Sequence, residues 1–253
     1  MTLKEKLIKR KLSIGSWVTI SHSSVVEIMA DAGFEWLVLD LEHSPMSIEK
    51  ALNLISIIQG KGLKALVRVG QNDPLIIKRV MDCGADGIIV PMICSQSEAE
   101  DVVKNTNYPP IGNRGVGLSR AQGYGHNFQE YKEWLKDESV IIVQIEHKNG
   151  VDNIEDILSV NGINGVLIGP YDLSASYGYP GDFKNKLVLN AVKKIETACK
   201  NKRISLGFHV IQPNHFEVLE KIKLGYNFIA FSIDFLFLGT KSKQEMVRIN
   251  NEI

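Results

Sequence analysis

Short runs of apolar and β-branched residues recur along the chain, each followed by a stretch of helical period. Eight runs read as strands: Ile14–Ile20, Trp36–Asp40, Ala65–Val69, Gly87–Pro91, Val140–Ile145, Gly165–Gly169, Ile204–His209 and Phe228–Ser232. Most are nearly continuous in apolar side chains, the pattern of parallel strands covered on both faces. Helices are predicted over Ser23–Ala32, Ser47–Gln59, Asp73–Cys83, Ser95–Asn105, Gly150–Val160, Leu187–Asn201, Pro213–Leu224 and Asp234–Asn250. Their ends carry recognisable signals. Ser47 can cap free amides, Pro74 suits a first helical position, Ser95 to Glu98 fits a capping box, and Gly33, Gly60 and Gly84 sit at C-terminal stops.

Eight strands, each followed by a helix, predict an α/β protein: one (β/α)8 TIM barrel over residues 1–253, preceded by a short N-terminal helix. An open doubly wound sheet is the rival, but no Gly-x-Gly-x-x-Gly follows the first strand. Two segments, Tyr108–Gln129 and Pro170–Lys186, exceed ordinary loop length. Both are expected near the barrel end that carries the chemistry, although Tyr108 begins on the opposite side.

Composition changes this picture little. The 29 basic and 29 acidic residues cancel, which argues against nucleic acid as a partner and leaves self-association easy. No apolar run reaches membrane-spanning length, and the charged N-terminus lacks the apolar centre of a signal peptide. Cys83, Cys94 and Cys199 form neither a disulfide framework nor a zinc spacing, so a reducing cytoplasm is expected. Each reads as a small buried hydrophobe rather than a nucleophile.

Barrel chemistry comes from residues at the strand C-terminal ends, and here the apolar runs close repeatedly on polar side chains. Glu146 and Asp172 follow adjacent strands, so their carboxylates can converge. Such a pair suits a hard divalent ion, Mg2+ or Mn2+ with Co2+ a third candidate. Two solvated loop acids are the competing reading of the same residues. Arg68, inside an apolar strand, either pairs a structural carboxylate or faces a developing oxyanion. His43 is a candidate general base, with Asp40 or Glu42 placed to orient it. Gln144 shares the side of its strand with Glu146. His22, His147 and His209 are lower-ranked alternatives.

These motifs, in this order, resemble the HpcH/HpaI aldolase family. They are Trp36 to His43, Val67-Arg68-Val69, Leu75–Gly84 running into Gly87 to Met92, Tyr108-Pro109-Pro110 with Gly112 to Gly115, Gln144-Ile145-Glu146, and Ile168 to Ser174. The resemblance covers Gly15 to Asp234. It implies metal-dependent cleavage or formation of a 4-hydroxy-2-oxo acid through pyruvate and an aldehyde. It further implies that Glu146 and Asp172 ligate the metal, that Arg68 stabilises the enolate, and that His43 transfers protons. Gln144 would hold the pyruvyl unit, and backbone amides around Gly169, Pro170 and Tyr171 would receive its carboxylate. Asp82 resembles an acid that supports the base across a subunit contact, within a homo-oligomer of six or three copies.

The chain departs from the family at Ser44, His147-Lys148, Tyr171 and the bulky Gly207-Phe208-His209, all of which bear on the aldehyde half. Four rival functions remain, the weakest a barrel that isomerises a sugar phosphate, since the loops His209–Pro213 and Ser232–Asp234 lack a Gly-rich phosphate cradle. A Schiff-base aldolase would need Lys148. A lyase acting on coenzyme A esters would need a basic cluster that the sequence does not display. A non-catalytic barrel binding small 2-oxo acids is the third.

Overall fold

The computed structural model describes residues 1–253. Eight parallel strands pair in chain order, and the last returns to the first, closing a barrel. They are β1 (Ser13–Val18), β2 (Trp36–Asp40), β3 (Lys64–Arg68), β4 (Gly87–Val90), β5 (Val140–Ile145), β6 (Gly165–Ile168), β7 (Ser205–Val210) and β8 (Phe228–Ile233). The expected (β/α)8 barrel is therefore present, and the open sheet is excluded. A short helix, α1 (Leu3–Ile8), precedes it.

Strand periodicity sorts the apolar residues into two cores. Leu37, Leu39, Val67, Ile88, Val143 and Ile168 point outward and pack under the helical ring. Trp17, Trp36, Val38, Leu66, Ile89, Ile142, Leu167 and Phe228 fill the barrel interior, with Leu3 and Leu7 of α1 closing its N-terminal end. Continuing that inward series two residues at a time reaches Asp40 on β2, Arg68 on β3 and Gln144 on β5. The apolar interior thus gives way to polar side chains at the C-terminal end, where the strand ends open.

The ring comprises α2 (Ser23–Ala30), α3 (Ile48–Gly60), α4 (Pro74–Asp82), α5 (Gln96–Thr106), α6 (Phe128–Asp137), α7 (Lys148–Asp152), α8 (Ile154–Ile157), α9 (Pro170–Ser176), α10 (Lys186–Lys202), α11 (His215–Lys223) and α12 (Asp234–Glu252). Asp73 caps α4 by accepting from the Ile76 amide at 2.8 Å, with Pro74 in its first turn. No helix is long and apolar enough to cross a membrane.

Three local expectations change. The predicted helix over Gly150–Val160 is two short helices, because Asn153 leaves helical geometry and its side chain donates to the Cys94 carbonyl. Ser95 caps α5 as expected, but Glu98 accepts from the amide of Cys94 rather than that of Ser95, so the box is not reciprocal. Third, the segment Tyr108–Gln129 stays at the opposite end of the barrel from the strand ends. Arg120 donates to the Cys83 carbonyl and to Gln59, Arg114 pairs with Asp82, and Gln122 bonds Tyr108. Those partners lie where helices finish and strands begin.

Candidate active site

A cavity of about 380 Å³ opens at the C-terminal end of the strands. Of the residues singled out from sequence, Asp40, His43, Arg68, Gln144, Gly169, Pro170, Tyr171 and Asp172 all line it. Glu146 lies against them, 2% exposed.

Arg68 is locked by three neighbours. Its Nε and Nη2 donate to the two oxygens of Asp40 at 2.9 and 2.7 Å. Its guanidinium carbon lies 4.4 Å from the centre of the Trp17 ring. Its Nε also approaches Glu42 Oε2 at 3.3 Å, but that hydrogen goes to Asp40, and Glu42 Oε2 is buried without a hydrogen-bond partner. Burial works to raise the Asp40 carboxyl, yet the Arg68 hydrogen bonds and charge hold it below its ordinary value. Burial pushes Glu42 up to about 6, with Arg68 opposing and the charges of Asp40 and Asp172 adding to the rise.

This arrangement corrects the expectation that Asp40 orients the imidazole of His43. Asp40 Oδ1 accepts from the backbone amides of Glu42 and His43 at 3.0 and 3.3 Å, shaping the turn after β2. The His43 ring itself is 61% exposed, with Nε2 3.7 Å from Glu42.

Glu146 is held from two sides. Its Oε1 accepts from the Met92 amide at 2.9 Å, and Gln144 Nε2 donates to its Oε2. Met92 adopts a left-handed φ of 55° to aim that amide, a conformation that costs energy for a side-chain-bearing residue. Burial pushes the Glu146 carboxyl up to about 7, and the charges of Glu42 and Asp172 act in the same direction. Gln144 Oε1 is buried without a donor.

Gly169 is needed by close approach: a Cβ there would collide with Glu146 Oε2 and Gln144 Nε2. The sequence Gly-Pro-Tyr reads as loop, yet α9 begins at Pro170 and carries Asp172 in its first turn. Gly169 N–H bonds Ile145 O and Leu173 N–H bonds Gly169 O. Pro170 has no N–H, so the amides of Tyr171 and Asp172 are the free donors there. Tyr171 is 51% exposed at the rim, its ring edge-on to Phe183.

The donor set fits a hard divalent cation. Glu146 is buried, Glu42 half-buried and Asp172 exposed at the rim; the charges of Glu42 and Asp172 both act on Glu146, and a buried carboxylate is costly without a counter-charge. No group of three or more His, Cys, Asp or Glu side chains forms a closed metal cage. An oxygen set of two carboxylates, completed by water and substrate, is the pattern for Mg2+ or Mn2+ rather than zinc.

Asp82 is not brought to this cavity. It ends α4 at the opposite end of the barrel and pairs with the fully buried side chain of Arg114 at 3.0 Å. Lys148 starts α7 and does not line the cavity. Sequence reasoning passed over Trp17, Thr19 and Asp234, which join the ends of β1 and β8. Asp234 accepts from the Thr19 and Ile20 amides and from the Thr19 hydroxyl, at 2.7 to 2.8 Å. The available signal was an acid directly after an apolar strand and ahead of a long helix.

Comparison with known proteins gives a consistent result. The model of the HpcH/HpaI aldolase/citrate lyase family matches residues 13–238. The 2-keto-3-deoxy-L-rhamnonate aldolase of Escherichia coli O17:K52:H18 is 33% identical over 249 residues, covering 96% of this chain and 91% of that protein. A HpcH/HpaI aldolase/citrate lyase family protein from Burkholderia cenocepacia J2315 superposes with a TM-score of 0.93 at 28% identity, covering 98% of both chains. The HpcH/HpaI aldolase from Desulfitobacterium hafniense DCB-2 gives 0.89 at 28% identity, covering 98% of this chain and 96% of that one.

Proposed function

The chain belongs to the HpcH/HpaI aldolase/citrate lyase family, and from that premise we propose that its cavity cleaves 4-hydroxy-2-oxo acids reversibly to pyruvate and an aldehyde. The enzyme is an aldolase, a carbon–carbon lyase. The observation that supports the proposed site is that Gln144, Asp172 and Arg68 line one cavity at the strand ends, with Glu146 held directly against Gln144. The 2-keto-3-deoxy sugar acid in the name of the E. coli relative belongs to the same chemical class as the proposed substrates.

Glu146 and Asp172 are the residues that would hold a divalent metal, Mg2+ or Mn2+ with Co2+ a third candidate. Such an ion, when bound, supplies Lewis acidity to the 2-oxo group. The remaining work falls to the chain. The free amides of Tyr171 and Asp172 receive the substrate carboxylate, and Gln144 holds the pyruvyl unit beside Glu146. Loss of the C4 hydroxyl proton lets the C3–C4 bond break. Its electron pair becomes the C2–C3 double bond, and negative charge collects on the former keto oxygen. Arg68, already fixed by Asp40 and Trp17, faces that charge without having to reorganise. C3 then takes a proton and pyruvate leaves. His43, at the open side of the cavity, moves the protons through solvent.

We assign Asp82 to a contact between copies in a homo-oligomer of three or six chains. Within one chain it lies at the wrong end of the barrel to meet His43, so it can support that residue only from another copy. Balanced charge and exposed Val116 and Leu118 in the neighbouring loop favour such association. A cytoplasmic location, with no nucleic-acid or membrane partner, completes the proposal.

The test is pyruvate release from a panel of 4-hydroxy-2-oxo acids, with Mg2+, Mn2+ or Co2+ and with chelator. Release that depends on a divalent ion is expected. Binding of metal and pyruvate with no release from any acid would instead identify a non-catalytic barrel.

A further inference from the structure

β7, β8 and β1 are neighbours in the closed sheet, so the helices that lead into them, α10, α11 and α1, finish near one another at the N-terminal end of the barrel. Between those helix ends lies a second cavity, of about 530 Å³. Arg10, Lys193, Lys200 and Lys223 line it. Glu196 is the one acid in the lining, and it accepts from the Tyr226 hydroxyl at 2.7 Å. None of the four cations forms an ion pair. The catalytic cavity lies at the opposite end of the barrel, at the strand C-terminal ends.

Arg10 is half-buried, and its Nε is sealed from solvent with no acceptor. A buried donor left unpaired is destabilising. Arg10 also adopts a left-handed φ of 52°, a further cost for a residue with a side chain. Helix ends account for part of the charge gathered here. Lys200 and Lys223 stand in the last turns of α10 and α11, where a cation offsets the negative end of the helix. Lys193 lies more than two turns before the end of α10, beyond the reach of that effect. At the end of α1 the carbonyls of Glu5, Lys6 and Leu7 already receive the amides of Lys9, Lys11 and Arg10. The Arg10 guanidinium is therefore not needed to cap them. The cavity carries positive charge that no protein group answers.

We propose that this cavity binds a small anion built from linked phosphate groups. Lys193 and Lys200 share one face of α10, two turns and about 10 Å apart along its axis. That spacing suits a chain of phosphates rather than a single ion, with Lys223 facing it from α11 and Arg10 from the end of α1. The guanidinium offers a fork of donors to two oxygens, and the lysines act as point charges. The occupant is neither substrate nor metal ligand, because Glu146 and Asp172 stand at the other end of the barrel. Leu3 and Leu7 of α1 close the barrel interior, so an anion joining Arg10 to α10 and α11 also fastens α1 in place. The site does not depend on the aldolase reading of the catalytic cavity.

The experiment is calorimetric titration of the full chain with tripolyphosphate, ATP and inorganic phosphate, in the presence of a chelator. The chelator keeps divalent ions from carrying phosphate to Glu146 and Asp172. The wild type is expected to bind one tripolyphosphate per chain, about tenfold or more tighter than inorganic phosphate, and to lose affinity as salt is raised. Equal affinity for ATP places the recognition in the phosphate chain, and tighter binding of ATP makes a nucleotide the occupant; either result upholds the site. Lys193 and Lys200 are exposed, so Lys193→Glu with Lys200→Glu is compatible with the fold, and it should weaken tripolyphosphate binding about tenfold or more. Lys50→Glu with Lys243→Glu changes net charge equally at two exposed positions on α3 and α12 and should keep wild-type affinity. Thermal unfolding gives a second reading: saturating tripolyphosphate should raise the Tm of the wild type and leave that of the Lys193→Glu, Lys200→Glu variant unchanged. A wild type that binds no tripolyphosphate overturns the proposal. Equal weakening in the two double variants also overturns it, because the effect is then one of net charge alone. Unchanged binding in Lys193→Glu with Lys200→Glu moves the anion to another part of the barrel and overturns it too.

Discussion

Arg68 and Asp40 form a bidentate pair across β3 and β2, with donor–acceptor distances of 2.9 and 2.7 Å. Asp40 is 1% exposed, so each charge depends on the other for compensation. Removing one partner of a buried pair leaves the other unpaired, at a cost of about 3–5 kcal/mol. Asp40→Asn is therefore expected to lower the urea midpoint and to reduce kcat, because it frees the guanidinium from its fixed direction. Arg68→Ala removes the facing charge and is expected to lower kcat by about 10²–10³-fold, with far less effect on metal affinity. A variant at either position with wild-type turnover would remove that residue from its assigned role.

Gly169→Ala tests whether Glu146 and Gln144 need their present positions. The added Cβ meets Glu146 Oε2 and Gln144 Nε2, so those side chains must shift, at about 1–3 kcal/mol for overpacking. Calorimetric titration with Mn2+ should show weaker binding, and pyruvate release should fall with it, while circular dichroism stays native. Unimpaired Mn2+ affinity would mean that Glu146 is not positioned through this contact.

The barrel was legible because its signals are local and repeated. Trp36–Asp40 and Val140–Ile145 match β2 and β5 to the residue, since both are nearly continuous apolar runs between clear turns. The polar residues that interrupt the inward series, Asp40, Arg68 and Gln144, could likewise be found from sequence. What stayed hidden depends on contacts far apart in the chain. Nothing near Asp40 tells that its carboxylate serves Arg68 rather than His43. Gly169-Pro170-Tyr171 masks the start of α9, because Gly and Pro carry the same signal in a loop and at a helix N-terminus. The bulge in β8, where Ala230 pairs with Gly15 but Ile233 with Trp17 and Ser232 takes a left-handed φ of 53°, lies inside an apolar run whose composition is that of an ordinary strand. The placement of Tyr108–Gln129 follows from Arg114 and Arg120 reaching Asp82 and Cys83, which no spacing rule reveals.

Metal dependence separates the proposed mechanism from Schiff-base chemistry. A chelator should abolish pyruvate release, and readdition of Mg2+ or Mn2+ should restore it. Glu146→Ala should lose the metal-dependent activity altogether. Borohydride with pyruvate should leave the protein unmodified by mass spectrometry, since Lys148 begins α7 outside the cavity. A pyruvyl adduct on Lys148 would overturn the metal mechanism.

His209 leaves a mark on stability. Its native value is lowered to about 4, chiefly by burial, against an ordinary value near 6.5 in an unfolded chain. Between those two pH values the unfolded chain takes up the proton and the native chain does not. Unfolding is therefore favoured progressively as pH falls from about 6.5 toward 4, and above 6.5 the neutral ring costs nothing. The linkage amounts to no more than about 3.5 kcal/mol, from about 1.4 kcal/mol for each pH unit of separation. Leucine at this position cannot take a proton, so His209→Leu should lack this part of the acid sensitivity. Urea midpoints of both proteins at pH 7.5, 6.5, 5.5 and 4.5 make the comparison, because acid effects common to the two subtract. The difference between them is expected to be constant from 7.5 to 6.5 and to move in favour of the Leu variant below that. Parallel curves over the whole range would show that His209 is protonated as readily in the barrel as in the unfolded chain.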